Sequence, residues 1–313
     1  MLDPARSYDL IGDVHGCAHT LEHLLERLGY RKLAGIWRHP QRMAVFLGDI
    51  IDRGPRIRES LHIVYDMVRS GQALCLMGNH EFNALGWCTP APAGSGKQFV
   101  REHTPRHARL IHETLEQFDK YPAEWREFVQ WFYDMPLFVD AGRFRVVHAC
   151  WDSEVIATLR AQYPDGCIDE AFLQAAAVSD SFASLSFNRL LRGTDMRLPG
   201  GMTLTGGDGL TRAFFRTKFW EDDPRPTAIS FSSRTRCLNG WHSSRCPPLK
   251  KVPCYVTALM NRCCLSGTTG AAAGPRRSVR TWRAWITARC CTANWWLIAW
   301  TRKPGSIRTN LYG

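Results

Sequence analysis

The stretch Leu47-Gly48-Asp49-Ile50-Ile51-Asp52-Arg53-Gly54 decides how this chain is read. The apolar run Met43 to Leu47 has the length and composition of a buried strand, and the Gly-Asp step that follows it is turn chemistry. The same grammar stands on either side. Tyr8 to Ile11 runs into Gly12-Asp13-Val14-His15-Gly16, and Ala73 to Met77 runs into Gly78-Asn79-His80-Glu81. Parallel strands that stop together bring their following loops to one edge of the sheet, where open α/β folds hold their ligands. Asp13, His15, Asp49, Asn79 and His80 would then converge on one small volume. Carboxylate oxygens and imidazole nitrogens gathered in this way are divalent-metal ligands, and mixed oxygen and nitrogen sets suit Mn, Fe or Zn. A carboxylate that bridges two ions is an arrangement used to cleave phosphate esters.

Outward from these loops the pattern turns helical. His19 to Leu28 has apolar residues at helical spacing and stops at Gly29, and Ile57 to Ser70 presents Leu61, Val64, Met67 and Val68 on one face before Gly71. A third helix starts near Glu81. Three strand-loop-helix units in succession predict a layered α/β domain with a largely parallel sheet. Residues 88–106 are rich in Pro, Gly, Ser and Thr and read as a loop. Its Ala93-Gly94-Ser95-Gly96-Lys97 is not a phosphate loop, because Ala91 stands where the first glycine is needed and Gln98 where Ser or Thr is needed. Residues 107–134 read as helical, with the aromatic segment Trp125 to Tyr133 assigned to packing. Leu137 to Asp152 reads as a hairpin turning near Gly142, whose second strand delivers His148 at its end.

Taken singly, these motifs have plainer explanations. Asp13 and Asn79 suit helix caps, Arg53 suits an ion pair with Asp52 or Asp49, and a lone His148 after a strand suits a core histidine. Four such motifs in order, each after a strand, make coincidence a poor account. Together Gly-Asp-Val-His-Gly at 12–16, Gly-Asp-Ile-Ile-Asp-Arg-Gly at 48–54, Gly-Asn-His-Glu at 78–81 and His-Ala at 148–149 resemble the calcineurin-like metallophosphoesterases. Within them they resemble the phosphoprotein-phosphatase branch, with its bacterial serine/threonine phosphatases and diadenosine tetraphosphatases. The resemblance spans roughly residues 7–152. It implies a layered α/β metallophosphoesterase sandwich with strand-end metal loops and two divalent metal ions, manganese foremost. It implies that Asp13 and His15 hold one ion, Asn79 and His148 the other, and that Asp49 bridges both. It further implies His80 as proton donor to the leaving oxygen, Asp52 as its orienting partner and Arg53 as a phosphate clamp. The implied substrate is a phosphorylated protein or a nucleotide polyphosphate.

Composition looks at first like a nucleic-acid binder, since the chain carries a formal net charge of +11. The excess is local. Residues 225–313 hold 15 Lys plus Arg and no acid, leaving 25 basic against 29 acidic residues before them. A basic, non-catalytic, nucleic-acid-binding protein acting through this tail is the alternative reading. No apolar run is long enough to cross a bilayer, the start has no signal-like segment, and the twelve cysteines show no metal or disulfide spacing. The expectation is a cytoplasmic protein without a membrane partner.

The tail itself departs from the family pattern. That pattern requires further Gly-His segments, yet no Gly-His pair follows residue 152, and His242 is the only histidine there. Six of the twelve tryptophans and two adjacent cysteine pairs lie in this acid-free stretch. A shifted reading frame explains it. Read from the third base of each codon, Leu265 to Gly270 can encode Val-Gly-His-Tyr-Trp, and Trp285-Ile286 must encode Asp. The expected organisation is a metallophosphoesterase domain over residues 1–225 and an out-of-frame tail over 226–313, incomplete or disordered. Such a chain would lack one histidine ligand and the strands that cover the sheet edge, and would be impaired.

Overall fold

The computed structural model describes residues 6–142, 144–198, 203–205 and 211–216, and in addition the backbone of residues 256–257, 282–289 and 296–302. Strand β1 (Ser7–Ile11) lies where the sequence puts it and is followed by helix α1 (Ala18–Leu28); a short hairpin of β2 (Arg31–Leu33) and β3 (Ile36–Arg38), unmarked in the sequence reading, precedes the expected β4 (Arg42–Phe46). Helix α2 (Ile57–Arg69) leads to β5 (Ala73–Cys75), and α3 (Asn79–Cys88) follows directly. Strands β1, β4 and β5 pair in parallel, with Leu10 opposite Val45 and Val45 opposite Leu74. Their C-terminal ends therefore share one edge, and the loops 12–16, 47–56 and 76–78 leave from it together.

Helix α1 ends as its sequence demands. Gly29 takes a left-handed φ of 90° and returns its N–H to Glu26 and Leu25. The helical stretch expected over 107–134 is two helices, α4 (Pro105–Phe118) and α5 (Pro122–Phe132). Proline causes the break: it lacks an N–H and fixes φ, so it suits a first helical turn and not an interior. The aromatic segment packs as expected, with Trp125, Phe128, Trp131 and Phe132 all buried. Strands β6 (Phe138–Asp140) and β7 (Arg145–Val147) form the hairpin about Gly142. Helices α6 (Ser153–Gln162), α7 (Glu170–Ala175) and α8 (Phe182–Phe187) follow, and a π-helical turn, Asn188–Arg192, continues α8. Short strands β8 (Asp195–Arg197), β9 (Leu204–Thr205), β10 (Thr211–Arg212) and β11 (Phe214–Arg216) pair as β8 with β11 and β9 with β10.

Alternation along β1 and β4 divides the core into two layers. Ile11 and Phe46 face the helices and pack with Leu21, Leu25, Leu61, Val64 and Met67. Tyr8, Leu10, Val45 and Leu47 face the other way, onto Val146 of β7. Each fully buried aliphatic side chain contributes about 1.5–3 kcal/mol of apolar transfer. The described strands β12 (Val256–Thr257), β13 (Trp282–Arg289) and β14 (Trp296–Arg302) extend both sheets. Strand β12 joins β7 in parallel, and β13 and β14 pair antiparallel on the free side of β1, giving the order β13-β14-β1-β4-β5. The main sheet is thus mixed, and β14 does cover the β1 edge. Backbone pairing needs a strand-forming apolar run and not a particular side chain. His242 and the segment Leu265 to Gly270 lie outside the described residues. Among the described residues, no helix is long and apolar enough to cross a membrane.

What fixes the loops to each other is one buried carboxylate. Glu81, fully buried, accepts the N–H of Asp49 (2.8 Å) and Gly78 (3.0 Å) on Oε2, and of Ile50 (2.8 Å) and Ile51 (3.3 Å) on Oε1. The Asp49 carbonyl in turn accepts the N–H of Val14 (3.0 Å) and His15 (2.9 Å). All three loops are tied into one network by these bonds. Replacing Glu81 with Ala strands four backbone donors away from water, and should lower unfolding stability by at least about 3 kcal/mol. Urea denaturation measures this, and a change within error would show that the loops are held by something else.

Candidate metal centre

The four motifs place their side chains at one spot. Oxygen and nitrogen atoms of Asp13, Asp49 and His148 lie within 4.8 Å of one another, and those of His15, Asp49 and His80 do likewise. Asp49 is central. Its Oδ2 is 3.7 Å from His15 Nε2 and 3.6 Å from His148 Nε2, and Asp13 Oδ2 is 3.8 Å from His15 Nε2. Asn79 joins through its Oδ1, 3.2 Å from His148 Nε2. The capping explanation for Asp13 and Asn79 does not hold, since the α1 N-cap is Cys17 and the α3 N-cap is Gly78.

Each imidazole is held in a fixed tautomer. His15 Nδ1–H donates to the Ile51 carbonyl (2.8 Å) and His148 Nδ1–H to the Leu47 carbonyl (2.7 Å), so both rings turn Nε2 toward the same space. His80 Nδ1–H donates to Asp52 Oδ2 (2.6 Å), which leaves its Nε2 facing the same space. Asp52 is itself fixed: its N–H donates to Thr114 Oγ1 (3.1 Å), and the Thr114 hydroxyl returns a bond to Asp52 Oδ1. The Arg53 guanidinium donates to His15 Nε2 (2.9 Å) and His80 Nε2 (3.0 Å), so a cation already sits against the imidazole nitrogens.

The backbone is strained here and almost nowhere else. Of six non-glycine residues with left-handed φ among the described residues, four are His15 (44°), Asp49 (56°), Asp52 (69°) and Arg53 (69°). Such conformations cost of order 1–3 kcal/mol each and persist where the surroundings over-determine them. Close approach adds a second constraint: a Cβ on Gly48 would lie 2.4 Å from Gly78 N. Only glycine lets the two loops touch.

Electrostatics reports an unsatisfied negative pocket. Burial, and then the neighbouring Asp49, push the Asp13 carboxyl up to about 7, and its Oδ1 is buried with no hydrogen-bond partner. Burial also works against the Asp49 charge, but His148, His80 and His15 around it hold its carboxyl well below the usual range. Burial, followed by His80, lowers His15 to about 3, which keeps it neutral. For His80 burial is outweighed by Asp49 and Asp52, and its imidazole is raised. Two carboxylates, an amide oxygen and imidazole Nε2 atoms turned to one space, with one carboxylate oxygen buried and orphaned, form a donor set that fits divalent cations.

The chain belongs to the calcineurin-like phosphoesterase family, whose model matches residues 8–181. It is similar to a bis(5'-nucleosyl)-tetraphosphatase, PrpE [asymmetrical], of Bacillus thuringiensis, 44% identical over 151 residues that cover 45% of this chain and 56% of the relative. The corresponding Oceanobacillus iheyensis protein is 47% identical over 73 residues, 23% of this chain and 29% of that one. The chain therefore spans about half or less of the curated relatives it matches. Among solved structures, a cold-active protein-tyrosine phosphatase of a psychrophilic Shewanella overlaps 60% of this chain and 55% of its own, at 21% identity and a TM-score of 0.43.

Sequence reasoning passed over Glu81, Thr114 and Arg192. Glu81 stands inside a quoted motif, and its burial alone shows its task. Thr114 lies 62 residues from Asp52 on a helix with no motif, so no local signal marks it. Arg192 reaches back to Asn83 Oδ1 (3.1 Å), one helical turn beyond Asn79. Titration with Mn2+, followed by the electron paramagnetic resonance signal of the free ion, should show binding weakened at least tenfold in Asp49→Ala. Equal binding by the variant would remove Asp49 from the ligand set.

Proposed function

We propose that this chain is built as a dinuclear-metal phosphoesterase. The observation that carries the reading is the convergence of Asp13, His15, Asn79 and His148 about Asp49, with one Asp13 oxygen buried and without a partner. Asp13 and His15 would hold one cation, Asn79 and His148 the other, and Asp49 both; manganese leads, with iron or zinc also compatible. Bound there, the pair supplies charge neutralisation at the phosphate and a water of lowered pKa.

The remaining steps belong to the chain's own side chains. Arg53, exposed and reaching over both imidazoles, clamps two phosphate oxygens through its planar fork. Once Arg53 turns from the imidazoles to the phosphate, His80 Nε2 is open to protonation and gives that proton to the leaving oxygen; Asp52 beside Nδ1 raises its basicity and aims the ring, and Thr114 keeps Asp52 in place. The substrate is a phosphomonoester of a protein or a nucleotide polyphosphate, and the similarity to bis(5'-nucleosyl)-tetraphosphatases favours the nucleotide. The setting is cytoplasmic, with no membrane partner.

Residues 1–225 form the catalytic unit in this reading, and 226–313 derive from a shifted frame that removes one histidine ligand and impairs the chain. The competing reading assigns the acid-free tail to nucleic-acid binding. It predicts salt-dependent binding of DNA or RNA by the tail. The enzyme reading is tested by Mn2+-dependent release of p-nitrophenol from its phosphate ester, low in this chain, restored when the frame is restored, and abolished by Asp49→Ala. Diadenosine tetraphosphate and a phosphoserine peptide, assayed side by side, then assign the substrate. A frame-restored protein inactive on all three overturns the proposal.

A further inference from the structure

The loop between α3 and α4 takes no part in the chemistry above, yet it is tightly held. Pro90 and Phe99 form an antiparallel bridge, and the Arg101 N–H donates to the Gly86 carbonyl (2.9 Å). The His103 ring is sandwiched between Trp87, 3.6 Å away and 12° from parallel, and Phe99, at 4.1 Å and 11°. Packing is close enough that a Cβ on Gly86 would lie 3.1 Å from Arg101 Cβ. Arg101 is thereby fixed against α3, two turns along the helix from Asn79.

Positive charge gathers at this point. Burial, then Arg192 and Arg106, push the Arg101 guanidinium down to about 9, and the same three arginines act on His107. Glu102 is the one carboxylate in residues 88–106, and its Oε1 is occupied by the N–H groups of Gln98 (2.8 Å) and Phe99 (3.2 Å). Among the described residues, neither Arg101 nor Arg106 has an ion-pair partner. Arg192 is bonded to Asn83, one turn along α3 from Asn79. A desolvated guanidinium beside two more is unfavourable unless an anion arrives to neutralise it.

We propose that Arg101, Arg106 and Arg192 form a second anion subsite, which takes the phosphates of a nucleoside polyphosphate beyond the one at the metal centre. The identification of the substrate rests on the phosphoesterase reading; the subsite itself does not. Seven residues of α3 separate Asn79 from Gly86, a rise of about 10 Å. A polyphosphate chain spans that distance and a single phosphomonoester does not. Bidentate guanidinium contacts suit phosphate oxygens, and a rigid platform limits the ordering cost of binding.

Calorimetric titration of the full chain in EDTA, with inorganic tripolyphosphate and orthophosphate as probes, tests the subsite apart from the metals. Tripolyphosphate should bind at least tenfold tighter than orthophosphate, and the Arg101→Gln/Arg106→Gln double variant should lose at least tenfold in tripolyphosphate affinity. Arg106 is exposed, so Arg106→Gln alone keeps the fold and should still weaken binding about threefold. Unchanged affinity in both variants, or equal affinity of the parent for the two anions, overturns the subsite. Tighter binding of a phosphoserine peptide than of tripolyphosphate overturns the polyphosphate assignment. Failure of Mn2+-dependent hydrolysis would count against the functional reading and leave these titrations standing.

Discussion

The carboxylate of Glu81 is the constraint on which the site depends. A sheet edge delivers loops but does not specify their spacing, and strands can end together while the residues beyond them splay apart. Glu81 removes that freedom by accepting four backbone N–H groups from two loops. The Asp49 carbonyl passes the restraint to the first loop. Because the group is fully buried, each bond is made in a low dielectric and cannot be replaced by water.

Strain and charge repulsion are concentrated where this network is strongest. Four non-glycine residues in left-handed conformations, and two carboxylates within 4.8 Å of each other, are individually unfavourable. They hold because helix packing behind the sheet fixes the loop roots and the Glu81 bonds fix their crests. The result is a set of donors organised before any ligand binds. The second layer follows the same rule, with Thr114 restraining Asp52 and Asp52 restraining His80.

Much of this was legible in the chain because the information is local. Gly48 and Asp49 declare a strand end and a turn that carries a carboxylate, and Gly29 announces the end of α1. The split between α4 and α5 was also in principle legible, since Pro122 forbids a continuous helix there. Thr114 was not, because its bond to Asp52 exists only after α4 folds back on the loop. Nor does an apolar run such as Trp296 to Trp300 reveal which neighbour it will pair with. Its antiparallel place beside β1 depends on a partner almost the whole chain away.

That placement has a consequence for the order of synthesis. Strand β1 leaves the ribosome long before β14, the strand that closes its second edge. A nascent chain therefore carries the strand leading to Asp13 with one row of backbone donors and acceptors unpaired until translation has passed residue 302. Long sequence separation of this kind slows folding, and it makes the quality of the late coding sequence a condition for protecting the early one.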